Sequence, residues 1–168
     1  SLTSLEFLRE IDLGYNYFVA SLESFARMKD LESLCLRWNT LVSGNLQSLS
    51  ALQQLSSLDL RDNVMASLTL QGIEKLRALR FVNFDKTSIS GNFDGLVLPH
   101  VEVFSAANNR LSGGVPTDAN FPKLQKLRLA GNMLQGTLSR LVQLQKLVEI
   151  DLSSNNLTEC KLALRDHI

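Results

Sequence analysis

The stretch LESLCLRWNTL, Leu31 to Leu41, decides how this chain folds, because its spacing of apolar residues around one asparagine returns along the rest of the sequence. Leu31, Leu34, Leu36, Asn39 and Leu41 are its skeleton. Side chains alternate along an extended strand, so Ser33, Cys35, Arg37 and Trp38 must point elsewhere. Core and surface can therefore be read separately.

Aligned on that asparagine, the chain becomes an array: Asn16, Asn39, Asn63, Thr87 in place of asparagine, Asn109, Asn132 and Asn155, spaced by 23, 24, 24, 22, 23 and 23 residues. A period of this size marks a solenoid, whose units bury their apolar faces only by stacking on one another. Five and three residues before each site stand Ile11 and Leu13, Leu34 and Leu36, Leu58 and Leu60, Val82 and Phe84, Phe104 and Ala106, Leu127 and Leu129, and Ile150 and Leu152. All are apolar, in a chain that is 45% hydrophobic. They are the inward face of seven short parallel strands.

The pattern LxxLxLxxNxL resembles the leucine-rich repeat family over nearly the whole chain. The resemblance implies an α/β solenoid, a horseshoe with a concave parallel sheet of about seven strands and a convex side of irregular and short helical segments. Residues 1–168 form a single domain of seven repeats, read as an excerpt of a longer protein. Buried asparagine amides can pair backbone groups of adjacent coils that would otherwise be stranded. After them come Leu41-Val42-Ser43-Gly44, Ile89-Ser90-Gly91, Leu111-Ser112-Gly113 with Val115-Pro116, and Leu134-Gln135-Gly136. These are similar to the LxGxIP element of the plant-type subclass. Leu46, Leu49, Leu52 and Leu55, and again Leu138, Leu141, Leu144 and Leu147, recur every three residues, which suits a tight helical turn on the convex side. Thr87 interrupts the asparagine array, and bulky Phe84 next to small Ala106 implies volume compensation within one core layer.

Composition narrows the function. Seventeen basic residues balance seventeen acidic ones without a charged run, which argues against nucleic acid or an anionic membrane as partner. No apolar run approaches the roughly 20 residues that span a bilayer. His100 and His167 lie several repeats apart, so no histidine pair can bind zinc or form a relay. The glycines sit at repeat period rather than in a phosphate-cradling run. The sequence points to no enzyme, cofactor or metal.

Cys35 and Cys160 fall in the second repeat and after the seventh. With strands about 4.8 Å apart they are separated by more than about 20 Å, whereas a disulfide needs Cα atoms within about 7 Å. Unpaired cysteines and a single sequon, Asn156-Leu157-Thr158, lean toward an intracellular setting. The plant-type turns lean the other way, toward a cell-surface or extracellular one.

The resemblance implies that outward strand residues form the binding surface. The columns are Glu10, Ser33, Ser57, Phe81, Val103, Lys126, Glu149; then Asp12, Cys35, Asp59, Asn83, Ser105, Arg128, Asp151. A third is Gly14, Arg37, Arg61, Asp85, Ala107, Ala130, Ser153, and a fourth Tyr15, Trp38, Asp62, Lys86, Asn108, Gly131, Ser154. Large aromatic and charged groups gather in the first four repeats. Tryptophan, tyrosine and arginine dominate interaction hot spots. The expected partner-binding residues are therefore Tyr15, Arg37, Trp38, Arg61, Asp62, Phe81 and Asp85. The competing reading has Trp38 covering the sheet edge and the arginines paired with Asp59, Asp62 and Asp85. The expected function is a non-catalytic module that holds a protein or peptide. A spacer in contact with flanking repeats or other subunits, and a ligand-binding fragment of a receptor ectodomain, are the alternatives.

Overall fold

The computed structural model describes residues 5, 7–40, 44–63 and 65–159. Leu41, Val42, Ser43, Cys160 and His167 lie outside them. Eleven strands follow in order: β1 Glu10–Asp12, β2 Ser33–Cys35, β3 Ser57–Asp59, β4 Phe81–Asn83, β5 Ser90–Gly91, β6 Val103–Ser105, β7 Arg110–Gly113, β8 Lys126–Arg128, β9 Met133–Thr137, β10 Glu149–Asp151 and β11 Asn156–Glu159. The first strand of each repeat joins one parallel sheet of seven, ordered β1-β2-β3-β4-β6-β8-β10. The register aligns Glu10 with Ser33, Ser57, Phe81, Val103, Lys126 and Glu149, as the repeat frame requires.

The glycine-bearing segments after the asparagines hold more than turns. They build a second parallel sheet, ordered β11-β9-β7-β5. The leucines spaced by three form 3-10 turns at Leu22–Phe25, Leu46–Leu49, Ile73–Lys75 and Leu138–Gln143. Asn45 caps the second of these, its Oδ1 accepting from the Ser48 N–H at 2.9 Å, which satisfies a donor that a helical start leaves free. Gly72, with φ of +95°, marks a close approach: a Cβ there would stand 2.4 Å from the Gln47 nitrogen and 2.7 Å from its Cα.

Between sheet and convex turns runs one apolar core. Leu34, Leu36, Leu58, Leu60, Val82, Phe84, Phe104, Ala106, Leu127 and Leu129 are all buried. Around Phe104 four rings meet: Phe121 stacks on it at 5.2 Å between centroids, and Phe93 and Phe84 approach edge-on at 5.8 and 6.4 Å. In the last repeat Leu152 still packs against this core, but the inward position at Ile150 is 44% exposed, beside Val148 at 76%.

The asparagines stitch coil to coil. Asn39 Nδ2 donates to Leu13 O and to Leu36 O, both at 2.9 Å, while its Oδ1 accepts from Phe18 N–H. Asn132 and Asn155 repeat the arrangement. Asn63 Nδ2 reaches Leu36 O at 2.8 Å and Leu60 O at 2.9 Å. Thr87 links coils differently, its N–H donating to Asn109 Oδ1 of the following coil at 3.1 Å. Its hydroxyl donates to Phe84 O within its own repeat at 2.8 Å, and its backbone carbonyl takes the Met65 N–H at 3.0 Å.

Candidate functional site

Two features of the repeat position side chains on the concave face, the first in four of the seven repeats and the second in all of them. The first is a capped turn. Asp12 Oδ1 accepts from the Gly14 N–H at 2.8 Å, Asp59 from Arg61, Asn83 from Asp85 and Asp151 from Ser153. These side chains mimic a backbone turn just after the strand. The second is a left-handed residue three positions on. Tyr15, Trp38, Asp62, Lys86, Asn108 and Ser154 have φ between 53° and 56°, and Gly131 has 66°. A residue with a Cβ is held there at a cost of about 1–2 kcal/mol. The ladder nevertheless continues through it, for Tyr15 N–H donates to Arg37 O and Trp38 N–H to Arg61 O.

These left-handed turns throw Tyr15 and Trp38 outward together. Their rings stack at 5.9 Å with 14° between planes, yet Tyr15 remains 65% and Trp38 50% exposed. The Arg37 guanidinium lies over the Tyr15 ring, 5.3 Å from its centroid, a cation–π contact. Beside them is a depression of about 600 Å³, lined by the small residues Ser33, Cys35 and Ser57, by Arg37 and Arg61, by Phe81, and by the carboxylates of Glu10, Asp12 and Asp59.

The sequence-derived set divides. Arg37, Arg61 and Phe81 line the depression, and Tyr15 and Trp38 stand next to Arg37. Asp62 instead pairs with Lys86 at 3.6 Å. Asp85 turns to the next coil, where its Oδ1 accepts from the Ser105 hydroxyl and the Ala107 N–H, both at 2.7 Å. It caps a turn that Ser105 cannot cap for itself. The arginine pairs agree with the competing reading in part: Arg61 pairs with Asp59 at 3.5 Å as that reading has it, while Arg37 pairs with Asp12 at 3.4 Å. The Arg37–Asp12 pair, with Asp12 well exposed, contributes about 0–1 kcal/mol, whereas Asp59 is buried beneath Arg61. Glu10, Asp12, Ser33 and Ser57 also line the depression; their places in the two strand columns were the signal that could have marked them.

The carboxylates of the second column titrate differently. A backbone hydrogen bond from Gly14 and one from the Cys35 thiol hold Asp12 below its ordinary value. Burial pushes Asp59 up, against the pull of the Arg61 N–H and guanidinium, and burial likewise raises the Cys35 thiol. Asp59 is only 7% exposed. Because its native pKa lies above the unfolded one, the folded state binds more protons between the two values. Stability then falls as pH rises through that window, and the penalty persists above it. Asp59→Asn should raise the melting temperature at neutral pH, an advantage that fades below the ordinary carboxylate value of 3.8. Asn83, in the same column, shows that asparagine can cap this turn. Melting curves of both proteins from pH 3 to 8 check the sign.

Among the described residues no group of three or more His, Cys, Asp or Glu side chains could hold a metal ion, and no helix is long and apolar enough to cross a membrane. No protein-family model matches the sequence, and no curated protein matches it. Solved structures do. A TDR receptor superposes with a TM-score of 0.84 at 24% identity, over 93% of this chain and 28% of its own. A leucine-rich repeat protein of Leptospira interrogans gives 0.79 at 25%, over 95% of this chain and 40% of its own. The Arabidopsis receptor kinase HAESA, solved with the peptide hormone IDA and the co-receptor SERK1, gives 0.68 at 22%, over 92% and 31%. The chain thus spans well under half the length of each. With seven parallel strands in repeat register, short 3-10 turns opposite them and an asparagine stitch between most coils, the chain is a leucine-rich repeat solenoid.

Proposed function

We propose that this chain is a non-catalytic interaction module that holds a protein or peptide on the first four repeats of its concave face. The observation that carries this reading is the stacked, half-exposed pair Tyr15–Trp38 beside the Arg37 guanidinium. Two large aromatic side chains are presented to solvent from adjacent coils. Aromatic and arginine side chains next to a depression are also the composition of interaction hot spots. That HAESA is solved with a peptide hormone and a co-receptor supports the same class of partner. Surface contact with flanking repeats or other subunits is the second reading, favoured by exposed Val148 and Ile150.

The test uses a partner recovered by pull-down from the source cell. Trp38→Ala should weaken its binding by about 2 kcal/mol or more, roughly thirtyfold in Kd, while changing unfolding free energy by less than about 1 kcal/mol. Ser153→Ala, in the third column of the last repeat, should change neither. Wild-type affinity in Trp38→Ala together with weakened binding in Ser153→Ala would place the site on the other half of the sheet.

A further inference from the structure

We infer that Gly14 is a positioning residue: it has no side chain so that Arg37 can lie flat across it, held against Asp12 and Tyr15. A Cβ on Gly14 would stand 2.9 Å from Arg37 Cγ, 3.2 Å from Arg37 Nε and 3.1 Å from Asp12 Oδ1. The first of these is closer than a real Cβ approaches anything. Nothing in the backbone requires glycine there, since Gly14 is not among the residues of positive φ. The repeat supplies six controls. The equivalent positions are Arg37, Arg61, Asp85, Ala107, Ala130 and Ser153, so the turn accepts side chains of every size. What distinguishes the first coil is the course of its neighbour: Arg37 reaches back to Asp12 of the preceding coil, whereas Arg61, which follows Arg37 in the column, pairs with Asp59 of its own coil.

Arg37 passes over Gly14 to two ends. Its Nη2 meets Asp12 Oδ2 at 3.4 Å, and its Cζ sits 5.3 Å from the Tyr15 centroid, the ring that Trp38 covers in turn. A long flexible cation is thereby fixed before any partner arrives, which reduces the ordering that binding demands. The functional side of this inference rests on the concave-face reading above. The structural side does not.

Two measurements on the free 168-residue chain test it. The first is a melting cycle of wild type, Gly14→Ala, Arg37→Ala and the double variant. Alanine for glycine in a permitted conformation ordinarily stabilises by restricting the unfolded chain. Gly14→Ala should therefore raise Tm in the Arg37→Ala background, and fail to raise it, or lower it, when Arg37 is present. An equal Tm shift in both backgrounds overturns the inference. The second uses Cys35, which lines the same depression and hydrogen-bonds Asp12. In a Cys160→Ser background its rates with anionic and cationic methanethiosulfonates report the local charge. Displacing Arg37 from Asp12 should lower the anionic-to-cationic rate ratio several-fold in Gly14→Ala, to the level of Arg37→Ala, with no further fall in the double variant. A wild-type ratio in Gly14→Ala overturns the inference. Coupling in both measurements combined with a neutral Trp38→Ala in the binding assay would leave Gly14 in this role and remove the concave-face reading instead.

Discussion

Phe104→Ala is expected to lower the free energy of unfolding by about 3–5 kcal/mol, the range for emptying a buried aromatic site. The reason lies in its neighbours. Phe104 is fully buried and touches three other rings, Phe84, Phe93 and Phe121. Phe84 and Phe93 belong to the preceding coil and Phe121 to the convex side of its own, so they cannot all move inward to fill the void. Aromatic pairs also contribute about 0.5–1.5 kcal/mol beyond their buried area, and alanine forfeits three of them. Phe104→Leu, which keeps much of the volume, should recover more than half of the loss. Urea unfolding of the three proteins decides it. A loss under about 1 kcal/mol for Phe104→Ala would mean that the ring cluster is not the packed centre of the array.

Asn63→Ala should be the second large effect, and larger than the same change at Asn39. Carbonyls on this ladder are held by one or by two amides. Leu13 O is reached from Asn16 and Asn39, and Leu36 O from Asn39 and Asn63. Removing Asn39 therefore leaves both carbonyls paired and frees only the part-buried Phe18 N–H that its Oδ1 accepted. Leu60 O receives the Asn63 amide, and the residue that should provide its second donor is Thr87, whose hydroxyl is spent on Phe84 O. Asn63→Ala strands a carbonyl in the core, at about 1–3 kcal/mol for each buried group left unpaired. Asn39→Ala, whose one stranded donor is only part-buried, should fall at the low end of that range. Equal losses at the two sites in chemical denaturation would show that the count of donors per carbonyl does not govern stability here.

Much of this was legible in the sequence because the repeat enforces it. Alternation at Leu34 and Leu36 fixed which side chains point inward, and seven copies in frame fixed the register of every concave strand. Other features left no local trace. Phe93 and Phe121 lie outside the asparagine frame, so nothing announced that they would close on Phe104. The second sheet follows glycines that also read as plain turns. Asp85 looked like a surface charge, and its service to Ala107 emerges only once Ser105 is seen to leave that turn uncapped. Gly14 is silent until Arg37, a full repeat later, is laid across it.

The left-handed column carries a consequence for engineering. Tyrosine, tryptophan, aspartate, lysine, asparagine, glycine and serine all occupy it with nearly the same φ, so the backbone, anchored by the ladder on both sides, dictates the conformation whatever the side chain. Residues grafted there would change what the molecule displays without changing its frame. Apart from Gly131, where a Cβ would stand 2.6 Å from Asn108 Oδ1, the sites form a row of sockets at roughly strand spacing, about 4.8 Å from one to the next, a ruler on which a chosen set of chemical groups can be set out in order.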